Sequence, residues 1–415
     1  MTVPARRIPE DFDPASTDDP DEVHALYRDL RARCPVAHTD SHGGFWALAT
    51  YPEVKAAALD DSRFISSVKA VVPSDPRGLR RPPLNFDAPH HTPYRKALDA
   101  TLSRRRLADL EPVLREHAVR VLTPMLQRGS GDIAQEFGAL FPAWVTTEWL
   151  NLDPELAPDL AETAARWVRA WRLQDREVVN AMSERMYAMA RALVADRRDH
   201  PRPVEEDPAS SLLAEPVDGE PLEAEQIVGA LRQSLVVGMV APPIVIGSIA
   251  THLGTDPQLQ ERLRAEPDLI TAALEEFLRL YAPYRGFART VTRPTVVLGR
   301  EILPGEPVTL TYASANRDAA VFDDPDEFRL GRPNIADHLA FGRGRHRCPG
   351  APMARLMLRI ALEELLARTA SFTAVGSREG ARMPELGIVS SHLRFVLPRD
   401  ADAERAAAAP ARRWI

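Results

Sequence analysis

Residues 338–366 read HLAFGRGRHRCPGAPMARLMLRIALEELL. Cys348 stands in a glycine-rich loop that runs straight into a segment of helical apolar period beginning near Pro352, where a proline suits the first turn. A thiol there meets the free N–H groups of a helix start and has Arg345 and Arg347 beside it, and both influences favour the thiolate. No second Cys or His follows at zinc spacing, so a tetrahedral zinc site is poor, whereas one thiolate suffices as the axial ligand of haem iron. The plain alternative is a small buried core residue. The only other cysteine, Cys34, is too distant in sequence and context to suggest a disulfide framework.

Working outward, Phe341-Gly342-Arg343-Gly344-Arg345-His346-Arg347-Cys348-Pro349-Gly350 resembles the F-G-x-G-x-H-x-C-x-G loop of the cytochrome P-450 superfamily, soluble bacterial type. Glu276-Phe277-Leu278-Arg279 is similar to the family's E-x-x-R helix motif, in which the two charges share one helix face and can pair. The resemblance makes Arg332 the third member of that buttress, with Arg329 near enough to compete. Asp87-Ala88-Pro89-His90-His91-Thr92-Pro93-Tyr94-Arg95 is similar to the helix start in which a His and an Arg four later bind haem propionate. That assigns propionates to His91 and Arg95, with Arg289 and His346 completing the set, and leaves His90 as an exposed residue. Cys348 becomes the metal ligand, within a cofactor loop shaped by Phe341, Gly342 and Gly350.

The resemblance covers nearly the whole chain. It implies haem b (iron protoporphyrin IX) in a single-domain fold, mainly α with a minor β-sheet region, an α-rich body plus a small β-rich part in a triangular prism. The domain is expected over residues 21–400, with residues 1–20 as an N-terminal extension and 401–415, an Ala-rich stretch, as a disordered tail. The implied activity is that of an O2-dependent haem-thiolate monooxygenase oxidising a small organic molecule of secondary metabolism.

Composition agrees with a large globular core: 45% of residues are hydrophobic and 27% charged. A net charge of -7 argues against a general nucleic-acid binder. The N-terminal residues are polar and rich in Pro and Asp, and the longest apolar run, Leu235 to Ile249, is broken by two prolines, so no membrane span is expected and the cytoplasm is the expected location. Helical spacing predicts helices at Asp21–Arg33, Tyr51–Leu59, Pro93–Leu126, Ala143–Leu150, two between Ala157 and Arg198, then Glu223–Gly254, Asp256–Ala265, Leu269–Tyr281 and Pro352–Thr369. Strand signals concentrate at Gly44–Ala49 and Ala288–Tyr312, and Asp199–Pro221 reads as a surface loop. With no flavin, iron–sulfur or dinucleotide motif, electrons must come from another protein, and the resemblance implies a ferredoxin or flavodoxin and its NAD(P)H reductase. Arg104, Arg105, Arg106, Arg343, Arg345, Arg347 and Arg355 offer a docking patch, although a run of Arg also serves as a solvated face.

One segment departs from the family. Aligning Gly238 on the distal-helix glycine puts Val240 where most members have an acid, Ala241 where they have a Thr, and Pro242 and Pro243 next. Each proline removes the helical bond to the carbonyl four residues back, freeing the Gly238 and Met239 oxygens for water. Water, or a group on the substrate, would then replace the missing proton relay; the plain reading is a kinked core helix. The departure leaves room for oxidative coupling or desaturation, or for a haem-binding sensor without turnover. The resemblance places Phe86, Trp171, Val237, Met239, Tyr284, Phe287 and Ile388 at the substrate pocket, with Arg80, Arg81, Arg169, Arg172 and Arg285 in the same segments. That mixture suits an apolar body with an acidic or polar end.

Overall fold

Apolar residues at helical spacing, interrupted by Pro and by polar caps, set the element boundaries in the computed structural model, which describes residues 10–73 and 80–398. The helices are α1 (Pro20–Arg33), α2 (Tyr51–Leu59), α3 (His91–Ala100), α4 (Arg104–Arg128), α5 (Gly138–Trp149), α6 (Ala157–Arg172), α7 (Arg176–Asp199) and α8 (Pro208–Ala214). They continue with α9 (Ala224–Val237), α10 (Ala241–Thr255), α11 (Pro257–Ala265), α12 (Ile270–Leu280), α13 (Tyr312–Ala315) and α14 (Ala351–Ala367). Aspartates cap several of them: Asp19 accepts from the first-turn N–H groups of α1, Asp175 does so for α7, Asp207 for α8 and Asp256 for α11.

Strands are short. They are β1 (Val36–Thr39), β2 (Phe45–Leu48), β3 (Phe64–Ile65), β4 (Ser130–Asp132), β5 (Pro216–Val217), β6 (Glu220–Pro221), β7 (Phe287–Val291), β8 (Thr295–Val297), β9 (Arg300–Ile302), β10 (Pro307–Leu310), β11 (Ser371–Gly380) and β12 (Ile388–Val396). The main sheet runs β1-β2-β10-β7-β3, with β10 parallel to β2 and Val308 opposite Arg289. A second sheet, β11-β12-β4, lies elsewhere on the body.

The helices share a core in which Phe137 and Phe141 beside α5, Ile249 of α10, Phe277 of α12 and Leu358 of α14 are buried together. A second apolar cluster joins α6, α7 and α9, and a third joins the main sheet to α2 and α13. The class is therefore mainly α with a minor β part, as the sequence suggests.

Local differences have local causes. The single helix expected over Pro93–Leu126 breaks where Ser103 caps α4 by accepting from the Arg106 N–H. Residues expected as the loop Asp199–Pro221 include α8 and the small β5–β6 ribbon, because Asp207 supplies a buried cap followed by Pro208. Helix α5 begins at Gly138, earlier than Ala143, after a π-turn at Ile133–Phe137. The long helix expected over Glu223–Gly254 divides into α9 and α10 at residues 238–240, since Pro242 and Pro243 carry no N–H for the Gly238 and Met239 carbonyls. The stretch Ala224–Thr255 is long and apolar enough to cross a membrane, but 78% of its most apolar window is buried in the protein, as in a core helix. Residues 10–19 lie against the body: Phe12 is buried, and Arg285 donates to the Pro14 and Thr17 carbonyls. The expected tail 401–415 and residues 1–9 of the expected N-terminal extension fall outside the described residues, as do residues 74–79.

Candidate haem and active site

The cysteine loop is built on two glycines with left-handed backbone. Gly342 has φ +67° and Gly344 φ +73°, and a Cβ on Gly344 would stand 2.2 Å from the Ala58 carbonyl oxygen, so only glycine allows the loop to lie on the end of α2. The Cys348 N–H donates to the Phe341 carbonyl at 2.8 Å and closes the loop, and α14 starts three residues later at Ala351. Arg95 ties the loop to α3 by donating to the Arg345 carbonyl at 3.2 Å and to the Arg347 carbonyl.

Burial pushes the Cys348 thiol up, opposed by the Gly350 N–H and by Arg95, Arg347 and Arg355. The expectation that the loop by itself favours the thiolate is thus corrected: the net shift is upward, and ligation to a metal has to displace the proton. The Arg345 guanidinium pairs with Asp61.

A buried charge network lies behind this loop. Glu276 accepts from Arg279 Nε and Nη2, both at 2.8 Å, from Arg332 Nε at 2.7 Å and from the Arg329 N–H at 3.0 Å. The Arg329 side chain turns instead to Asp324, so between the two arginines it is Arg332 whose guanidinium reaches Glu276. Arg279 Nη1 also donates to the Asn316 carbonyl at 2.9 Å, and Asn316 Oδ1 accepts from the Leu339 N–H at 2.6 Å, two residues before Phe341. The network therefore connects covalently and through hydrogen bonds to the start of the cysteine loop.

Beside the loop the structure gathers two imidazoles and two guanidinium groups, His91, His346, Arg95 and Arg289. The His91 and His346 rings meet edge to face with centroids 4.6 Å apart. Arg289 of β7 is buried nearby, close enough to His346 to depress its basicity and hydrogen-bonded to Tyr312. Burial, then His346, Arg95 and Arg345, lower the His91 pKa to about 4. His91 Nδ1 and His346 Nε2 are buried without a hydrogen-bond partner, the latter standing 3.7 Å from Asp87. Sequence reading missed Asp87 as an organiser: it accepts from the Ser66 and Ser67 N–H groups at 2.8 and 2.9 Å and holds His346 in place. His90 is exposed, as expected.

Of the residues expected around the substrate, Val237 is 46% exposed although its helix is otherwise largely buried. Tyr284 and Phe287 are half-buried and meet with ring centroids 4.8 Å apart. Phe86, Trp171, Met239 and Ile388 are buried: Phe86 packs edge-on against Tyr94, Trp171 stacks on Trp167, and Ile388 is held to α10 through its N–H to Ser248 Oγ. Val240 and Pro242 are buried and Ala241 half-buried, and none of the three carries a proton-transferring group. Gly238 is required by close approach, since a Cβ there would lie 2.8 Å from Thr146 Oγ1 of α5. Sequence reading also missed Gln233, four residues before Val237 on the same helix face, whose Oε1 is buried without a partner.

The Cytochrome P450 family model matches residues 149–375, more than half of the chain. This chain is a cytochrome P-450. It is 31% identical to the cyclomarin C epoxidase CymV of Salinispora arenicola, over 85% of this chain and 90% of that protein. It is 28% identical to the linalool 8-monooxygenase of Pseudomonas putida, over 84% and 89% of the two chains. Among solved structures, CYP108D1 from Novosphingobium aromaticivorans superposes with a TM-score of 0.82 at 27% identity, covering 91% of this chain and 95% of that one.

Cytochromes P-450 bind haem b, and the residues present suit that group. Among the described residues no group of three or more His, Cys, Asp or Glu could hold a bare metal ion, and Cys348 offers the lone thiolate donor that would suffice for haem iron. The His91 Nδ1, buried without a partner, and the His346 ring, whose Nε2 meets only Asp87 at 3.7 Å, lie beside Arg95 and Arg289 in an environment that two carboxylates of a ring would satisfy. The P-450 is thus a haem-thiolate monooxygenase that takes O2, an organic substrate and electrons from a redox partner.

Proposed function

We propose that Cys348 ligates the haem iron, that His91, Arg95, Arg289 and His346 hold the propionates, and that Glu276, Arg279 and Arg332 brace the loop from behind. The substrate is a small, largely apolar molecule of secondary metabolism, received beside Val237, Tyr284 and Phe287. The observation that carries this reading is the pinned Cys348 loop adjoining two guanidinium groups, Arg95 and Arg289, and two imidazoles, His91 and His346, that can donate to an anion. When bound, the haem supplies oxygen activation; the chain's own residues hold it, exclude water and orient the substrate. A carbon monoxide difference spectrum of the reduced protein tests the assignment. A strongly red-shifted Soret band that is lost in Cys348→Ser supports it, and an unshifted band in both proteins refutes it.

The distal segment handles protons without an acid or alcohol at Val240 and Ala241. The carbonyls of Gly238 and Met239, which Pro242 and Pro243 cannot bond, hold ordered water that serves as the relay. Product formed per O2 consumed measures this: near-complete coupling with the true substrate is expected, and severe uncoupling refutes the water relay. The redox partner is an acidic ferredoxin or flavodoxin in the cytoplasm. Arg343, Arg345 and Arg355 are paired with Asp337, Asp61 and Glu275, and Arg106 turns to Asn151. The exposed Arg347 and Arg104 are left to attract that partner, while Arg105 lies 4.0 Å from Asp109.

A further inference from the structure

Arg172 ends α6, and its side chain is only 18% exposed. Its Nε donates to Glu385 Oε2 at 3.0 Å, and Glu385 is wholly buried in the turn between β11 and β12. Among the described residues the two terminal amino groups of Arg172 make no hydrogen bond, and Glu385 Oε1 has no partner. A buried carboxylate that grips a guanidinium through Nε leaves a two-pronged donor unused. Such a donor matches a carboxylate in geometry as well as in charge.

The pair sits beside the distal helices. Two residues after Glu385, Gly387 packs so closely on α10 that a Cβ would stand 2.5 Å from Ile244 Cγ2 and 2.8 Å from Ser248 Oγ. Tyr284 forms a β-bridge with Glu385 and also touches Phe287. Burial raises the Tyr284 hydroxyl pKa far above its ordinary value, and the same hydroxyl feels Glu385, Arg172 and Cys348, so the cluster lies within electrostatic reach of the cysteine. Around it Arg285 and Arg382 both approach Asp18, at 3.8 and 3.3 Å.

We propose that Arg172, held by Glu385, binds a carboxylate of the substrate, so that this P-450 takes acidic molecules with an apolar body. The inference rests on the haem-thiolate reading and names the substrate class of that same site. Arg172 orients the substrate and takes no part in the oxidation, and Glu385 is a positioning residue.

The test uses the holoprotein and matched acid and methyl-ester probes on three different bodies: dodecanoate, geranate and biphenylacetate. Soret shifts give the affinities. In at least one pair the acid is expected to bind roughly ten- to a hundredfold more tightly than its ester, the range of a charge-assisted hydrogen-bonded pair. Arg172→Gln should bring that ratio near one, and Arg172→Lys, which keeps the charge without the fork, should lower it partway. Glu385→Gln, which retains an acceptor for Nε, should keep the acid preference. Esters matching acids in every pair, or a preference that survives Arg172→Gln, would overturn the proposal. So would equal losses of thermal stability in Arg172→Gln and Glu385→Gln with an unmoved ratio, which is the signature of a structural ion pair alone. A carbon monoxide spectrum without a thiolate band in the same preparation would instead overturn the reading beneath it, and the proposal with it.

Discussion

Replacing Glu276 by Gln removes one charge from a site where two guanidinium groups are buried against it. Glu276 is 1% exposed and accepts four hydrogen bonds, three from Arg279 and Arg332 and one from the Arg329 N–H. Gln keeps the volume but offers a single acceptor oxygen and no charge, so Arg279 and Arg332 remain buried and uncompensated. Breaking a buried pair this way costs about 3–5 kcal/mol. With an unfolding entropy of about 2.1 cal/mol/K per residue over about 380 folded residues, or about 0.8 kcal/mol/K, the midpoint should fall by about 4–6 °C. Because Arg279 reaches Asn316 and Asn316 holds the Leu339 N–H, the cysteine loop should loosen too. The assay is a thermal melt of the holoprotein by far-UV circular dichroism, with the Soret band followed in parallel. Glu276→Gln should lower both midpoints, the Soret midpoint first. A fall below about 1 °C would refute the reasoning, since it would mean that the arginines find equivalent acceptors without the carboxylate.

Glu275 accepts from Arg355 at 2.6 and 2.8 Å and pairs with His338, and although burial raises its pKa these partners lower it to about 2. Its folded pKa lies below the unfolded value, so its contribution is complete above about pH 4.5 and is lost as pH falls toward 2; discounted for partial exposure it is about 1 kcal/mol. Glu275→Gln should therefore flatten that part of the stability–pH curve, and an unchanged curve counts against the pairing. Gly344→Ala forces a Cβ to 2.2 Å from the Ala58 carbonyl at φ +73°, and the ratio of haem to protein absorbance should fall below half of the wild-type value. Retention of full haem content would show that the loop can shift away from α2. Arg347→Glu should slow reduction by an acidic ferredoxin roughly tenfold at low salt, with the difference shrinking as ionic strength rises; equal rates at every salt concentration would remove Arg347 from the docking face.

What the sequence made legible was chemistry carried by contiguous residues. The loop from Phe341 to Gly350 and the pair Glu276 and Arg279 are local patterns, and local geometry decides what each can do. His91 and Arg95 were legible for the same reason, but Asp87, which positions His346 from 259 residues away, was not. The division of α9 from α10 could be anticipated at the carbonyl level from Pro242 and Pro243, yet not as a helix end, because a proline pair is compatible with either a kink or a first turn. The hairpin of β11 and β12 escaped notice because its strand Ser371–Gly380 alternates only weakly and is largely exposed along its second half.

The pair of Arg172 and Glu385 shows where such reading stops. The two residues are 213 positions apart, one ending a helix and the other in a turn; the resemblance puts Arg172 in a substrate-contacting segment, but nothing in the sequence pairs it with Glu385. Burial arises only when the turn is laid on α10, which in turn depends on Gly387 lacking a side chain, so that Ile244 and Ser248 can meet its backbone. A glycine that permits close packing thus determines that a carboxylate loses its water, and the lost water is what makes an arginine partner necessary. Gly387→Ala should accordingly weaken the proposed acid preference without touching either charged residue, because the added Cβ would lift the turn from α10 and return Glu385 to solvent. Soret titration with the same acid and ester probes measures it, and an acid preference equal to that of the wild type would show that the charge pair keeps its geometry independently of the helix contact.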